Sequence, residues 1–430
     1  MLEVQTTGGA VRGDVSVGVT AFRGMRYGRL ANGRRFDPVV PAAPDCGQDL
    51  REFPAVFPQL PSRLDVLLGP AVGKHPQSED AFLLNVWAPT GARDRPVLFF
   101  IHGGGFVAGG GVVPWYSGQR LASEGDMVVV TMNYRLGPLA HLMIGSSDDD
   151  ANRPVGDLLQ ALTWVRENIA LFGGDPDNVT VAGQSAGAFY SQLLAVLPES
   201  RGAIRRLILQ SCPGLPAASR SRTESMSVDI IGGLEGGDPR TADVGLLLAG
   251  HLRVMKKNAK FGSVGTGLMP TVDARVPDWL DDPARIANAI GVSDLLVTFT
   301  SDETGAYFFN VPERDITDEQ VRRLGHGRRA TCESPYAELV AVTTARLFGD
   351  HARGLVAASR QRGIRADLQE FTLSSRIEGV GSSHGFDTPF LFGNRAAWAG
   401  AHMLDEIDDE LFETEGAKLR CDVADFVHRS

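Results

Sequence analysis

The sequence predicts a doubly wound α/β fold with a mostly parallel sheet and a cap-like insertion. Three continuous apolar runs, 83–87, 97–101 and 127–131, have the composition of parallel strands that helices cover on both faces. Helical stretches such as 157–172 separate the later runs, and this alternation is typical of doubly wound sheets. The later apolar runs are at 207–209, 295–299 and 368–373.

The chain is predicted to form one domain over residues 1–430, since α/β architectures often reach this length as a single unit with insertions. Residues 1–60 combine short strand-like segments with turns rich in glycine and proline, and are predicted to form a small N-terminal β region. A loop is predicted over 58–79. Residues 213–270 interrupt the alternation, and we expect this insertion to lie over the active site at the carboxyl ends of the strands.

The net charge of −10 is spread along the chain rather than concentrated in a tail. Nucleic acids and anionic membranes both select a basic face, so neither is an expected partner. No stretch approaches the roughly 18 apolar residues of a transmembrane helix, and the N-terminus does not have the pattern of a signal peptide. We therefore expect a cytoplasmic protein.

The four cysteines, at 46, 212, 332 and 421, do not have the spacing of metal ligands or of a redox pair. They are predicted to be free, buried thiols. The sequence therefore predicts neither a metal site nor a cofactor. It does not determine the oligomeric state, for which a monomer is favoured.

Ser185 is the strongest candidate for a nucleophile. It lies in Gly-Gln-Ser-Ala-Gly at 183–187, between an apolar, β-branched run at 178–182 and a helical stretch at 188–197. A serine at such a turn needs glycine on both sides, because larger side chains would clash with the strand and the helix. A second match at 381–385 has neither a strand leading directly into it nor a helix after it.

A glycine-rich turn supplies a candidate oxyanion hole. The run 97–101 leads directly into His-Gly-Gly-Gly-Phe at 102–106, and the backbone N–H groups of such a turn can converge on one point. A serine hydroxyl alone is a poor nucleophile, and it needs these donors together with a base and a group that orients the base. In nucleophile elbows the N–H after the serine, here that of Ala186, completes the hole.

The acid and the base should follow Ser185 in that order. Among the later histidines, His384 is distinguished by its loop, which follows an apolar strand. Asp302 and Glu303 both follow the run 295–299 at its carboxyl end, where the catalytic loops of α/β proteins lie. Position alone leaves these two acids as alternatives.

Several separated motifs resemble those of a bacterial-type type B carboxylesterase, of the carboxylesterase/cholinesterase family. The most specific are WVRENI at 164–169 and FGGDPDNVT at 172–180, and the resemblance runs from about Val4 to about Phe426. The other matching segments are 22–27, 78–86, 102–109, 133–137, 384–387 and 390–393. The resemblance implies an α/β-hydrolase fold with Ser185 as nucleophile, Glu303 as acid and His384 as base. The oxyanion hole it implies consists of Gly104, Gly105 and Ala186.

The chain departs from the family's pattern near the site. The family's Glu-Asp-Cys reads Glu-Asp-Ala at 79–81, so the usual disulfide is not expected, and the preceding loop, 62–78, lacks aromatic residues. Gln184 replaces the usual glutamate before the nucleophile. The loop without aromatic residues and the loss of this negative charge both disfavour cationic choline esters. Thr304 separates Glu303 from the following glycine, which the family has adjacent, so Asp302 remains an alternative acid.

The sequence therefore predicts a serine esterase that hydrolyses neutral carboxylic esters with short-to-medium acyl or aryl groups, through an acyl-enzyme. Phe106, Gln184 and Tyr307 are predicted to contact the small-molecule substrate. Carbamate or aryl-amide hydrolysis is one alternative, and a non-catalytic binding protein on the same fold is another. A hormone-sensitive-lipase-like esterase shares the glycine loop, but its acid and histidine are usually closer than the 81 positions from Glu303 to His384.

Overall fold

Strands and helices alternate over most of the chain in the computed structural model, which describes residues 2–43, 48–49, 54–70, 72–145, 151–263 and 266–430. The strands are β1 Leu2–Thr6, β2 Gly9–Ser16, β3 Val19–Arg26, β4 Gly28–Leu30, β5 Val39–Pro41, β6 Gln48–Asp49, β7 Leu83–Pro89, β8 Arg95–Ile101, β9 Val128–Met132, β10 Gly174–Gln184, β11 Arg206–Gln210, β12 Asp294–Thr300 and β13 Arg365–Phe371. The helices are α1 Asp65–Leu68, α2 Gln119–Gly125, α3 Gly137–His141, α4 Arg153–Asn168, α5 Ala186–Val196, α6 Arg220–Gly232, α7 Val244–Asn258, α8 Pro283–Ala289, α9 Gly305–Phe308, α10 Asp318–Leu324, α11 Pro335–Thr344, α12 Asp350–Gln361, α13 Thr388–Phe392 and α14 Asp409–Val427.

One large sheet organises these elements, in the order β1-β2-β3-β7-β9-β8-β10-β11-β12-β13, with β6 paired beside β2. The strands from β9 to β13 along this path are parallel, whereas those from β1 to β9 are antiparallel. Strands β4 and β5 form a separate antiparallel pair. The predicted doubly wound, mostly parallel α/β fold is confirmed.

The direction of β7 was predicted wrongly. Its apolar run was expected to form a parallel strand, but β7 is antiparallel to both β3 and β9. Every residue of β7 except Pro89 is nevertheless buried. A continuous apolar run indicates that both faces of a strand are covered. It does not indicate whether the strand is parallel or antiparallel to its neighbours.

Apolar clusters cover both faces of the sheet, and alternate residues of β8 divide between them. Val97, Phe99 and Ile101 belong to one cluster, and Leu98 and Phe100 to the other. Successive side chains of a strand point to opposite faces, so one apolar run builds two cores. The carboxyl ends of the parallel strands are thereby held at one rigid edge.

The N-terminal region over 1–60 carries β1 to β6, apart from residues 1, 44–47 and 50–53, which lie outside the described residues. The predicted loop over 58–79 includes the short helix α1, and residue 71 lies outside the description. In the predicted insertion, 213–270, helices α6 and α7 pack on each other, and α7 also packs on α3. Residues 264–265 of this insertion are not among those described.

The three cysteines among the described residues are free, as predicted, but two of them are not buried. Cys212 is buried and free, and burial raises the pKa of its thiol. Cys332 and Cys421 are also free but exposed, because one lies in a surface segment before α11 and the other on the outer face of α14. Cys46 lies outside the described residues. Across the described ranges, no helix is both long and apolar enough to span a bilayer.

Candidate active site

Ser185 lies at a sharp turn between the end of β10 and the start of α5. Its backbone angles, φ 57° and ψ −119°, fall in a region that residues other than glycine rarely adopt. Its N–H donates to the carbonyl oxygen of Gln210 on β11 over 2.8 Å. Neighbouring strands thus hold the strained turn at the carboxyl edge of the sheet.

The glycines on either side of this turn are required by space. A Cβ on Gly183 would overlap the backbone of Gly187, and a Cβ on Gly187 would overlap the carbonyl oxygen of Ile101 at the end of β8. The sequence-based reason for these glycines, close packing of strand against helix, therefore agrees with the structure.

His384 links the Ser185 turn to a carboxylate. Its Nε2 lies 2.7 Å from Ser185 Oγ, and its Nδ1 is hydrogen-bonded to Glu303 Oε2. The backbone N–H of His384 also donates to the carbonyl oxygen of Glu303 over 3.1 Å. Two separate bonds therefore fix the imidazole against the acid, and the imidazole itself is 5% exposed.

The two acids that the sequence left open have different surroundings. Glu303 is fully buried, and its Oε1 accepts from the N–H of Thr300 over 2.9 Å. Asp302 instead accepts from the N–H of Ser382 over 3.0 Å and from the hydroxyl of Ser301 over 2.8 Å. Asp302 thus braces the turn that precedes His384, and the carboxylate at the imidazole is that of Glu303.

The additional residue after Glu303 is accommodated by α11. Thr304 is buried, and its hydroxyl lies 2.7 Å from that of Thr343 and 3.1 Å from the carbonyl oxygen of Val340. These bonds anchor the residue without displacing Glu303 from His384.

The glycine turn after β8 passes directly beside Ser185. A Cβ on Gly103 would lie 3.2 Å from Ser185 Cβ and would overlap the Gln184 amide. The next three residues all have positive φ, 123° at Gly104, 62° at Gly105 and 68° at Phe106. Within the described chain, the N–H groups of Gly104, Gly105 and Ala186 have no acceptor. Consecutive free N–H groups of this kind form a concavity that attracts anions.

The buried side chain of His102 packs beneath the glycine turn and is hydrogen-bonded to it. It is fully buried, its ring stacks on Tyr134 with centroids 4.4 Å apart, and its Nδ1 lies 2.7 Å from the carbonyl oxygen of Gly103. Burial lowers the pKa of His102 to about 4, so the ring is neutral at neutral pH and Nδ1 carries the proton it donates to Gly103. The role of His102 was not predicted from the sequence.

The three residues predicted to contact substrate have different positions. The Phe106 ring is buried against Phe189 and Tyr190, with centroids 5.5 and 5.6 Å away, so it lies in the core rather than in an open cavity. Gln184 is buried with its Nε2 3.4 Å from His384 Nε2. The ring of Tyr307 is 5.8 Å from that of His384.

Two residues near His384, Phe348 and Asp387, were not predicted from the sequence. The Phe348 ring is 5.1 Å from the imidazole and lies on a π-helical turn, 345–349, a type of turn that is frequent at functional sites. Asp387 is buried, and Gln210 Nε2 donates to its Oδ2 over 3.4 Å. Burial and then the charge of Glu303 raise the pKa of Asp387 to about 6. The Asp387 position was visible in the matched segment 384–387, but its burial was not.

Because four buried histidines have lowered pKa values, we expect the free energy of unfolding to fall in mild acid. Burial lowers their pKa values to about 4 for His102, His251 and His351, and to about 3 for His141. In the unfolded chain each takes up a proton near pH 6.5, so between about 6.5 and 4 the unfolded state binds more protons. Stability therefore falls as the pH falls through this window. Asp387 acts in the opposite direction, but it is a single group.

We expect the thermal midpoint to be lower at pH 5 than at pH 7.5 by about 5 °C or more. His351→Gln should reduce this difference, because it removes a buried titrating group. His402→Gln, a matched change at an exposed histidine, should leave it unaltered. Equal midpoints at the two pH values would contradict the assignment of these histidines as neutral.

Among the described residues, no group of three or more His, Cys, Asp or Glu side chains is arranged to hold a metal ion.

Comparison with known proteins gives a consistent family. The family model described as "Carboxylesterase family" matches residues 1–328. The para-nitrobenzyl esterase of Bacillus subtilis (strain 168) is 33% identical over 353 residues, which covers 79% of this chain and 69% of that protein. The phenmedipham hydrolase of Pseudarthrobacter oxydans is 31% identical over 439 residues, which covers 94% of this chain and 85% of that protein.

Solved structures agree over nearly the whole length. A PNB esterase structure superposes with a TM-score of 0.81 at 27% identity, covering 99% of this chain and 90% of that one. A carboxylesterase of Geobacillus stearothermophilus superposes with a TM-score of 0.80 at 28% identity and the same coverage. The chain therefore belongs to the carboxylesterase family, and is a carboxylic ester hydrolase with the α/β-hydrolase fold.

Proposed function

We propose that Ser185, His384 and Glu303 form a catalytic triad that hydrolyses carboxylic esters through an acyl-enzyme. The observation that carries this proposal is the unbroken series of hydrogen bonds from Ser185 Oγ through both nitrogens of His384 to Glu303. An acid bonded to Nδ1 fixes the tautomer in which Nε2 is free to accept the serine proton.

In the first half of the reaction, Ser185 Oγ attacks the ester carbonyl carbon while His384 Nε2 takes its proton. The resulting imidazolium is stabilised by the buried Glu303 carboxylate. His384 then protonates the leaving alcohol oxygen as the carbon–oxygen bond breaks, which leaves an ester on Ser185. In the second half, His384 removes a proton from water as the water oxygen attacks the acyl carbon. His384 then returns this proton to Ser185 Oγ as the bond between Oγ and the acyl carbon breaks, which releases the acid and restores Ser185.

The negative charge that develops on the carbonyl oxygen needs donors that are already in place. We assign this role to the N–H groups of Gly104, Gly105 and Ala186. Two observations support the assignment, since these groups have no acceptor within the described chain and the turn that carries them passes beside Ser185. A buried, neutral His102 adds support by holding the carbonyl oxygen of Gly103.

Gly104→Val is expected to lower kcat by roughly 10²- to 10³-fold, the usual cost of one oxyanion donor. At φ 123°, a Cβ on residue 104 would overlap the carbonyl oxygen of Ala108, so the turn must move and its N–H must leave its position. Gly156→Ala on α4 is the control, because a Cβ there meets nothing within 4 Å. Unchanged turnover in a folded Gly104→Val protein would remove this residue from the hole.

We propose neutral esters with short-to-medium acyl or aryl groups as substrates. The apolar rings of Tyr307 and Phe348 beside His384, and the absence of charge on Gln184, support this choice. A series of p-nitrophenyl esters with acyl chains from two to twelve carbons tests it. We expect a burst of p-nitrophenol followed by slower turnover, with an optimum among the shorter chains. No release from any member of the series would contradict the proposal.

Carbamate hydrolysis is a second candidate. It is favoured by the similarity to phenmedipham hydrolase, which extends over 94% of this chain. An aryl ester and its matching N-aryl carbamate, assayed in parallel, distinguish the two activities.

We also propose that the insertion over 213–270 borders the mouth of the site. Lys260, Gly262 and Ser263 line a cavity together with Tyr307, which supports this placement.

We also propose a cytoplasmic location. The free thiols of Cys212, Cys332 and Cys421 support a reducing compartment, as expected for a cytoplasmic protein.

A further inference from the structure

A cavity of about 60 Å³ shares a wall with the candidate active site. Tyr307, whose ring packs near His384, lines it, and so does Thr304, which follows Glu303. Leu347, the neighbour of Phe348, lines it as well. A water-sized group needs about 10–15 Å³ measured in this way, so the cavity has room for a group of several heavy atoms.

The charged residues that line this cavity are all cationic. They are Arg63 and Lys260, and none of the described residues that line it is acidic. Neither side chain has a carboxylate partner among the described residues, and both are exposed to solvent at the cavity. In a chain of net charge −10, two cations without an acid at one small cavity indicate a site for an anion.

The two cations come from separate segments that are each held in place. The Arg63 guanidinium lies over the Tyr307 ring, 4.8 Å from its centroid. The N–H of Lys260 donates to Ser263 Oγ over 3.1 Å, and the adjacent Phe261 ring packs 5.7 Å from that of Phe308. Arg323, which donates to the carbonyl oxygen of Phe261, adds a third positive charge nearby.

The nearest acids on the adjoining loop are already engaged. Glu303 is bonded to His384, and Asp302 accepts from the N–H of Ser382. Neither forms an ion pair with Arg63 or Lys260, so among the described residues a bound anion would meet the two cations without a directly competing carboxylate.

The position of the cavity indicates which part of an ester substrate would lie nearest to it, namely the alcohol part. His384 Nε2 must reach the leaving oxygen in order to protonate it, so the alcohol part of an ester lies against the imidazole. The Tyr307 ring lies 5.8 Å from the imidazole of His384 and also forms part of the cavity wall. A group carried a few bonds beyond the leaving oxygen therefore has the cavity within its reach.

The geometry points to a carboxylate subsite in which Arg63 and Lys260 bind an anionic group on the alcohol part of the ester. This inference rests on the proposed function and extends it, from neutral esters alone to esters whose leaving group carries a carboxylate away from the scissile bond. Arg63 and Lys260 act as specificity residues and take no part in bond making or breaking.

Two butyrate esters test the inference, those of 3-(4-hydroxyphenyl)propanoate and of the corresponding neutral amide. Their leaving phenols have similar acidity, so a difference in rate reports recognition of the charge. We expect Arg63→Gln and Lys260→Gln each to lower kcat/KM for the carboxylate ester by about threefold and together by about tenfold, as for partly exposed ion pairs. The change should lie mainly in KM and should shrink at high salt, while the amide ester stays within about twofold.

Arg166→Gln is the matched control for loss of one positive charge. Arg166 is exposed on α4 near the end that leads into the amino end of β10, whereas Ser185 follows the carboxyl end of that strand. Equal losses for the carboxylate and amide esters in the double variant, or no loss for either, would overturn the subsite. If wild type hydrolyses neither ester in a Ser185-dependent manner, the proposed function itself fails.

Calorimetry on Ser185→Ala separates the two outcomes further, since it measures binding without turnover. We expect the intact carboxylate ester to bind more tightly than the amide ester, and the preference to disappear when Arg63→Gln and Lys260→Gln are added. Equal affinity of Ser185→Ala for both esters would refute the subsite independently of catalysis.

Discussion

Ser185→Ala is expected to lower kcat for p-nitrophenyl butyrate by about 10⁶-fold. The substitution removes the proposed nucleophile and leaves the proposed backbone donors, His384 and Glu303 in position. Residual activity should therefore exceed the uncatalysed rate, by roughly 10³- to 10⁴-fold, because the oxyanion donors and substrate binding remain. Stopped-flow and long steady-state assays together cover this range.

Ser359→Ala is the matched control for this experiment. Ser359 is a buried serine on α12 whose hydroxyl has no hydrogen-bond partner among the described residues, so its removal should be neutral. Circular dichroism of both variants confirms that they fold. Activity within about tenfold of wild type in Ser185→Ala would show that another group attacks the ester.

Glu303→Gln should reduce kcat by about 10⁴-fold, the scale seen when the acid of such a triad loses its charge. An amide in this buried position retains the shape of the side chain, but it cannot stabilise the imidazolium that forms on His384. The loss should appear in kcat more than in KM, because the charge matters in the transition state.

The neighbouring acid gives this prediction its control. Asp302→Asn keeps an oxygen that can accept from the N–H of Ser382, so we expect activity within about fivefold of wild type, the scale of one hydrogen bond. The opposite result, a large loss in Asp302→Asn with activity retained in Glu303→Gln, would assign the acid to Asp302. The pair therefore decides the question that the sequence left open.

The parts of the site that could be predicted from sequence are those that depend on local geometry. Ser185 is marked by its flanking glycines, because the turn between β10 and α5 has no room for their side chains. The glycine turn after β8 is marked in the same way, and its three consecutive positive φ angles explain the need for glycine at 104 and 105. Tight turns that leave no room for a side chain can therefore be predicted from glycine at the corresponding positions.

Features that depend on how distant segments meet could not be predicted. The direction of β7 follows from its partners β3 and β9, and its apolar composition would be the same in either direction. The choice between Asp302 and Glu303 depends on which carboxylate faces His384, 81 positions away. Phe106 is a core residue because Phe189 and Tyr190 enclose it, which no local pattern reveals.

The cationic cavity is the clearest example of such a distant assembly. Arg63 lies just before α1 and Lys260 just after α7, so nearly two hundred positions separate them in the chain. Each alone is an unremarkable surface cation. Only the packing of both segments around Tyr307 brings the two charges to one cavity.

The most direct test of the central claim is to identify the residue that carries the acyl group. The protein is mixed with p-nitrophenyl butyrate, quenched in acid during the burst, digested and examined by peptide mass spectrometry. We predict one butyryl group, 70 Da, on the peptide that contains Ser185, and none on that peptide in Ser185→Ala. A butyryl group on any other residue, or turnover without an acylated peptide, would contradict the proposed mechanism.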